Sequence, residues 1–288
     1  MSSEYVISSD STCDLPESYV KEHGLNILLL AYRFGDISYT KETLLDPAVF
    51  YDRMRNGEMP QTTAAIPEEI RNSFEPFLKE GKDILHFSFS SALTSSYNNE
   101  CIVARDLMEE YPERKIVVID SLSASLGQGL LVHYAVQMKE KGASLEEVAE
   151  WIEANKLSFC HQFTVNDLFH LHRGGRISKA AAILGTIASI KPVLNVDNEG
   201  RLIPQCNVRS RKKSLLKMVD NMGEKIQGFQ NDVVFIGHGG NLEDAKFVAD
   251  EVTKRFGITN ILIDYISPTI GAHAGPDTIA LFFRGNER

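Results

Sequence analysis

Short runs of β-branched and apolar residues alternate with amphipathic helical patterns along most of the chain, and this alternation limits the possible folds more than any other feature. The runs are Tyr5–Ser8, Asn26–Tyr32, Ile84–Phe89, Ile116–Ile119, Phe159–Thr164, Val233–Ile236 and Ile261–Ile266, with Thr278–Phe283 as the last. Strands separated by helices pair side by side in one direction, so the pattern predicts an α/β fold with mainly parallel sheets. Helices are expected over 67–78, 128–139, 145–154, 214–226 and 242–256, the first opened by a proline suited to a first helical turn. The clearest periodicity is Tyr97, Cys101, Ala104, Met108 and Tyr111, steps of four and three that place one apolar stripe against a core. At 288 residues a single core is near its size limit. The expectation is therefore two α/β domains, 1–156 and 157–288, divided near Leu157, because four strand–helix units precede it and the basic, glycine-rich segment His172–Lys179 opens a different pattern.

Charge and cysteine usage exclude several classes. With 30 basic against 39 acidic residues the net charge is −9, a field unsuited to attracting phosphate backbones, so no nucleic-acid partner is expected. Cys13, Cys101, Cys160 and Cys206 form no CxxC pair, which argues against a zinc knuckle or a disulfide framework, and no metal is expected. They read as reduced, mostly buried thiols. No apolar stretch approaches the ~20 residues of a membrane span, and residues 1–10 lack the pattern of a secretion signal, so the expected location is cytoplasmic.

Four polar segments interrupt this scaffold at strand ends and helix starts, where α/β proteins bind ligands. Turn and N-cap chemistry accounts for Ser8–Pro16. Gln61–Pro67 carries the paired hydroxyls Thr62 and Thr63 ahead of a helix, suited either to capping or to a ligand. Ser88–Ser96 supplies more hydroxyls than one N-cap uses, among them Thr94, Ser95 and Ser96, and a helix start favours an anion. Gly271–Pro276 holds His273 among small residues; a lone histidine is more often structural, and His238 in Gly237–Gly240 is its rival. The chain has no GxSxG, HExxH, GxxxxGK[ST] or GxGxxG motif, Gly127-Gln128-Gly129 lacking the third glycine. Serine, histidine and aspartate converging in space leave a hydrolase as the enzyme alternative. The segment His172–Lys179 reads either as a solvated loop or as a turn presenting Arg173 and Arg176. Arg209, Arg211, Lys212 and Lys213 gather at a helix start, where cations oppose the dipole and call for an acidic compensator.

The order of these segments resembles the DegV family of bacterial fatty-acid-binding proteins along nearly the whole chain. Asp10-Ser11-Thr12-Cys13-Asp14-Leu15 is similar to its opening D-S-T-x-D-L. Thr62-Thr63 stands for its T-S pair, and Ser90-Ser91-Ala92-Leu93-Thr94-Ser95-Ser96 for S-S-x-L-S-G-T. Gly174-Gly175-Arg176-Ile177-Ser178, Ile190-Lys191-Pro192 and Arg209 with Lys212-Lys213 resemble G-G-R-I-S, I-K-P and R-x-x-K-K, and Gly271-Ala272-His273-Ala274-Gly275-Pro276 resembles G-x-H-x-G-P.

The resemblance implies two α/β domains with a long-chain fatty acid buried between them, its carboxylate held by Thr62 or Thr63, Thr94 and its neighbours Ser95 and Ser96, and His273. It implies a carrier without cofactor or chemistry of its own, presenting the carboxyl group to a separate ATP-dependent fatty acid kinase subunit and holding the acyl phosphate. Arg173 and Arg176 are the residues expected to dock that kinase or an anionic membrane surface. Two departures stand out. Thr94-Ser95 replaces Ser-Gly beside the head group, and Asp277 replaces a glycine after Gly-Pro and is expected to face outward. The competing classes are an acyl ester hydrolase using a Ser/His site and an interaction or regulatory protein, the latter without any DNA-reading element.

Overall fold

The computed structural model describes residues 4–40, 43–166, 168–178 and 190–288. Its first sheet joins β1 (Tyr5–Asp10), β2 (Asn26–Leu28), β6 (Asp83–Ser88) and β7 (Ile116–Asp120) in the order β2-β1-β6-β7, every pair parallel as the alternation predicts. β1 and β6 are buried at every position, because helices cover both faces. On one face lie α3 (Pro67–Lys79) and α4 (Ser96–Glu110), which bury Ile70, Phe74, Val103 and Leu107 against Ile84 and Ile116. α1 (Glu17–Glu22) follows the turn after β1.

α5 (Leu126–Glu140) covers the other face, and its consecutive residues Leu126–Val132 are all buried. A helix without a wet side must be covered all round. Residues of both large sheets share its core, Ile7, Leu85 and Phe87 on one side and Phe159, Phe235 and Phe282 on the other. α6 (Leu145–Asn155) begins with a capping box in which the Ser144 hydroxyl accepts from the Glu147 amide and the Glu147 carboxylate accepts from the Ser144 amide. The chain position 156/157 falls in the single 3-10 turn Lys156–Ser158 that follows.

The second large sheet corrects the parallel expectation. It contains β8 (Phe159–Thr164), β9 (Ile190–Val196), β10 (Leu202–Arg209), β11 (Val234–His238), β12 (Ile261–Tyr265) and β13 (Ile279–Arg284) in the order β10-β9-β8-β13-β11-β12. Only β11 and β12 pair in parallel; the other four pairings are antiparallel. The cause is local. β9 and β10 form a hairpin whose turn uses Gly200 at φ +79°, and the last strand returns between β8 and β11. α8 (Arg211–Lys225) and α9 (Leu242–Phe256) cover the outer face.

A third sheet was not anticipated. The run expected as one strand over 26–32 breaks after Leu28, and β3 (Tyr32–Phe34), β4 (Ile37–Tyr39) and β5 (Pro60–Thr62) form a small antiparallel sheet. It packs with α2 (Pro47–Arg55) through Tyr32, Phe34, Phe50 and Tyr51. The α4 stripe is offset as well: Ser96, Glu100, Val103, Ala104 and Leu107 face inward, while Tyr97, Cys101 and Met108 are half-buried. Two short helices, α7 (Phe169–Arg173) and α10 (Pro268–Ala274), complete the described elements. No helix among the described residues is long and apolar enough to cross a membrane.

Candidate functional site

The first sheet changes direction of winding between β1 and β6, and the crevice beyond the carboxyl ends of such strands is the usual ligand position. Elements distant in sequence meet there: the end of β5, the loop before α4, the turn after α7, and α10. Thr62 closes β5, and its hydroxyl lies 2.8 Å from Nε2 of His273 on α10. The other imidazole nitrogen, Nδ1, is buried without a hydrogen-bond partner. Gly174 stands against it, where an added Cβ would be 2.2 Å from Nδ1. The first glycine of the paired glycines thus lets backbone lie flat on the histidine ring. Burial, followed by the nearby charges of Arg176 and Arg173, pushes the His273 pKa down to about 4. The ring is neutral at physiological pH and can donate one hydrogen bond and accept another.

Thr62, Thr63, Thr94, Ser95 and His273 line one polar cavity of about 550 Å³, with Arg176 in its wall. Thr63 is exposed, its hydroxyl 3.4 Å from the Ala31 carbonyl oxygen. Ser96 does not line this cavity: its oxygen accepts from the Ala65 amide at 3.0 Å and meets the Thr94 hydroxyl at 2.9 Å, fixing the loop before α3 to the start of α4.

Arg176 corrects the expectation of two outward-facing guanidiniums. It is half-buried, donates to the Leu93 carbonyl at 3.1 Å and to the Gly174 carbonyl, and pairs with no carboxylate among the described residues. Arg173 is exposed, with Nη2 donating to the carbonyls of Ala272 at 3.1 Å and Pro60 at 3.3 Å. Lys179, the end of that basic stretch, lies outside the described residues. Of the second basic cluster, Arg211 finds its compensator in Asp244 at 2.6 Å.

Phe89, Arg176 and His273 also line a second, apolar cavity of about 600 Å³. Leu93, Phe163, Leu171, Ile270 and Phe282 give it apolar walls, drawn from the loop before α4, from the second large sheet and from α7 and α10. Two of its polar groups are spent internally: the Ser125 hydroxyl donates to Asp14 at 2.5 Å, and that of Thr278 to the carbonyls of Ala274 and Gly275. The two cavities share Phe89, Arg176 and His273, so an apolar space meets a polar mouth that bears the Arg176 cation.

His238 lines neither cavity; it is buried against Tyr265, ring centroids 4.3 Å apart. Asp277 faces away from His273, as expected, and accepts from Arg55 at 2.9 Å. Its φ of +61° explains why a glycine would suit that position. Asp10 does the capping expected of the first segment, accepting from the Thr12 amide at 3.0 Å. Thr269 also lines the polar cavity, its hydroxyl donating to the Leu30 carbonyl at 2.8 Å; it and the wall position of Arg176 escaped sequence reasoning, and an arginine following paired glycines was the available signal for the latter.

A hydrolytic site needs a nucleophile, a base and a group orienting that base. Here the hydroxyl on His273 belongs to Thr62, and among the described residues no carboxylate contacts Nδ1. The orienting member is missing.

A family model described as "Uncharacterised protein, DegV family" matches residues 4–286. A DegV domain-containing protein of Clostridium perfringens is 40% identical over 287 residues, 99% of both chains. Among solved structures, one described as fatty acid binding of a DegV family protein from Thermus thermophilus superposes with a TM-score of 0.88 at 25% identity, covering 98% of this chain and 99% of that one. A stearic-acid-binding protein from Eubacterium ventriosum gives 0.87 at 28%, covering 97% and 98%.

Proposed function

The chain belongs to the DegV family, and from that premise we propose that it binds a long-chain fatty acid, the hydrocarbon in the apolar cavity and the carboxylate in the polar mouth. The observation that carries this reading is the sharing of Phe89, Arg176 and His273 by the two cavities, which puts a hydroxyl, a neutral imidazole and a guanidinium at the end of an apolar space. The family neighbours described as binding fatty acids support it.

Burying an acyl chain contributes ~0.8 kcal/mol per methylene, so about sixteen carbons gain roughly 12 kcal/mol before ordering costs. The carboxylate accepts from the Thr94 hydroxyl, the Arg176 guanidinium and the Thr62 hydroxyl, whose oxygen in turn accepts from Nε2–H of His273. Arg176 thereby moves from the docking role expected of it to the head group. Thr63 and Ser95, at the exposed rim, leave the carboxyl group within reach of a partner.

The protein is then a carrier that does no chemistry itself. A separate ATP-dependent fatty acid kinase subunit phosphorylates the presented carboxylate, and the carrier holds the acyl phosphate in the cytoplasm. Exposed Arg173 is the docking residue for that subunit or for an anionic membrane surface.

Titration with a sixteen- or eighteen-carbon acid, its methyl ester and the matching alcohol tests the reading. The acid should bind at least about tenfold more tightly, as loss of a charged hydrogen bond implies. Equal binding of acid and ester contradicts the head-group assignment, and no binding by any of them contradicts the fatty-acid assignment. With ATP and the kinase subunit, acyl phosphate should form only when both proteins are present, more slowly with Arg173→Ala.

A further inference from the structure

One group of polar side chains lies wholly inside the first sheet's helical cover and takes no part in the lipid site. Ser8 and His86 are register partners on β1 and β6, so their side chains leave the sheet on one face, and Asp10, two residues beyond Ser8, shares it. α4 covers that face, and the offset of its stripe turns Glu100 inward. Asp10, His86 and Glu100 are each fully buried, and one ligand-type atom from each lies within 4.8 Å of the others.

Among the described residues, both carboxyl oxygens of Glu100 lack a hydrogen-bond partner, and so does His86 Nε2. Yet Nε2 and Glu100 Oε2 are only 3.3 Å apart. A contact this close, an ion pair if the ring is protonated, leaves both atoms without a hydrogen bond and their lone pairs available to one ion when the ring is neutral. Donors ~2.0–2.1 Å from a tetrahedral ion are themselves about 3.3 Å apart.

A dry carboxylate with no partner is costly, and two carboxylates side by side cost more. On these grounds we propose that Asp10, His86 and Glu100 hold one divalent transition-metal ion, with Zn²⁺ the best match. One imidazole and two carboxylates are the donor set, and the two negative charges balance the ion.

The surroundings are those of an oriented ligand. His86 Nδ1 lies 2.9 Å from the Ser8 oxygen, which also accepts from Asn26 at 3.0 Å, so the ring is held with Nε2 towards the carboxylates. In this tautomer Nδ1 carries the proton and Nε2 offers its lone pair. Asp10 Oδ2 accepts one bond, from the Phe89 amide at 2.7 Å, and keeps a lone pair for the ion. The Phe74 ring, 5.0 Å from that of His86, closes the apolar side. The ion joins β1, β6 and α4 directly behind the loop carrying Thr94, and it revises the expectation that this chain binds no metal.

The test is metal analysis with X-ray absorption at the zinc edge on tag-free protein produced in zinc-supplemented medium. The expected result is about one equivalent, with one imidazole, oxygen donors and no sulfur in the first shell. Glu100→Gln should lose most of the metal. Folded wild-type protein without metal overturns the proposal, as does zinc bound through sulfur or several imidazoles, or full occupancy in Glu100→Gln. If that variant does not fold, the wild-type absorption spectrum alone decides. Lipid content is measured separately, so failure here leaves the fatty-acid reading standing.

Discussion

The polar mouth and the apolar cavity are built by opposite means. Thr62, Thr94, Arg176 and His273 come from four separate segments, and each brings one polar group to a point. Leu93, Phe163, Ile270 and Phe282 bring apolar area from a loop, a helix and the second sheet. Area carries most of the affinity at ~0.8 kcal/mol per methylene, while a few hydrogen bonds set direction. On the proposed reading, chain length is chosen in the cavity, and access to the carboxyl group in the mouth.

Filling the cavity should have the largest effect. Ala280 is buried on β13 and lines it, so Ala280→Phe displaces several methylenes. Losing about four of them costs ~3 kcal/mol, more than a hundredfold in retention of a sixteen-carbon acid. A shorter acid should lose much less, which a competition series across chain lengths reads directly; a loss equal at all lengths would break the division of labour.

Next comes the charge in the mouth. Arg176→Met should weaken acid binding by about 1.5–3 kcal/mol while leaving the fatty alcohol unaffected. An equal loss for both ligands would assign Arg176 to packing. Gly174→Ala places a methyl group on the His273 ring and should destabilise the protein by about 1–3 kcal/mol, measured by denaturant unfolding, with weaker acid binding alongside. Thr62→Val, which removes one hydroxyl from His273, should cost only about 1 kcal/mol of acid binding.

A further prediction is a pH dependence of stability. Burial holds His273 neutral down to about pH 4, against 6.5 for an ordinary histidine. Above pH 6.5 the folded and unfolded chains bind the same number of protons at this residue. Between 6.5 and 4 only the unfolded chain takes one up, so this contribution to stability is lost as pH falls. Wild type should therefore lose stability relative to His273→Gln between pH 7 and pH 5, a trend that unfolding curves at both values will show. An unchanged difference would mean that the imidazole is not held neutral.

The same contrast governs what can be read from the residues alone. Thr62, Thr94 and His273 stand out because short polar side chains at strand ends have no packing role to account for them. The cavity does not stand out: on β13, Phe282 lines the cavity and its neighbour Phe283 belongs to the outer core, and nothing in residue type separates them. The first sheet follows from alternation because its strands are joined through helices, and its central strands β1 and β6 are buried under helices on both faces. The second does not, because β13 returns into the middle of the sheet and the hairpin of β9 and β10 has no helix between its strands. The α4 stripe misleads for a further reason: Ser96 and Glu100 face inward to polar partners or ligands, which a rule of apolar positions overlooks.

The most direct test of the central claim is denaturing extraction of the purified protein followed by mass spectrometry of the extract. The account predicts one long-chain fatty acid per protein, recovered from the preparation or after incubation with a panel of acids. Protein that stays empty after both would contradict it.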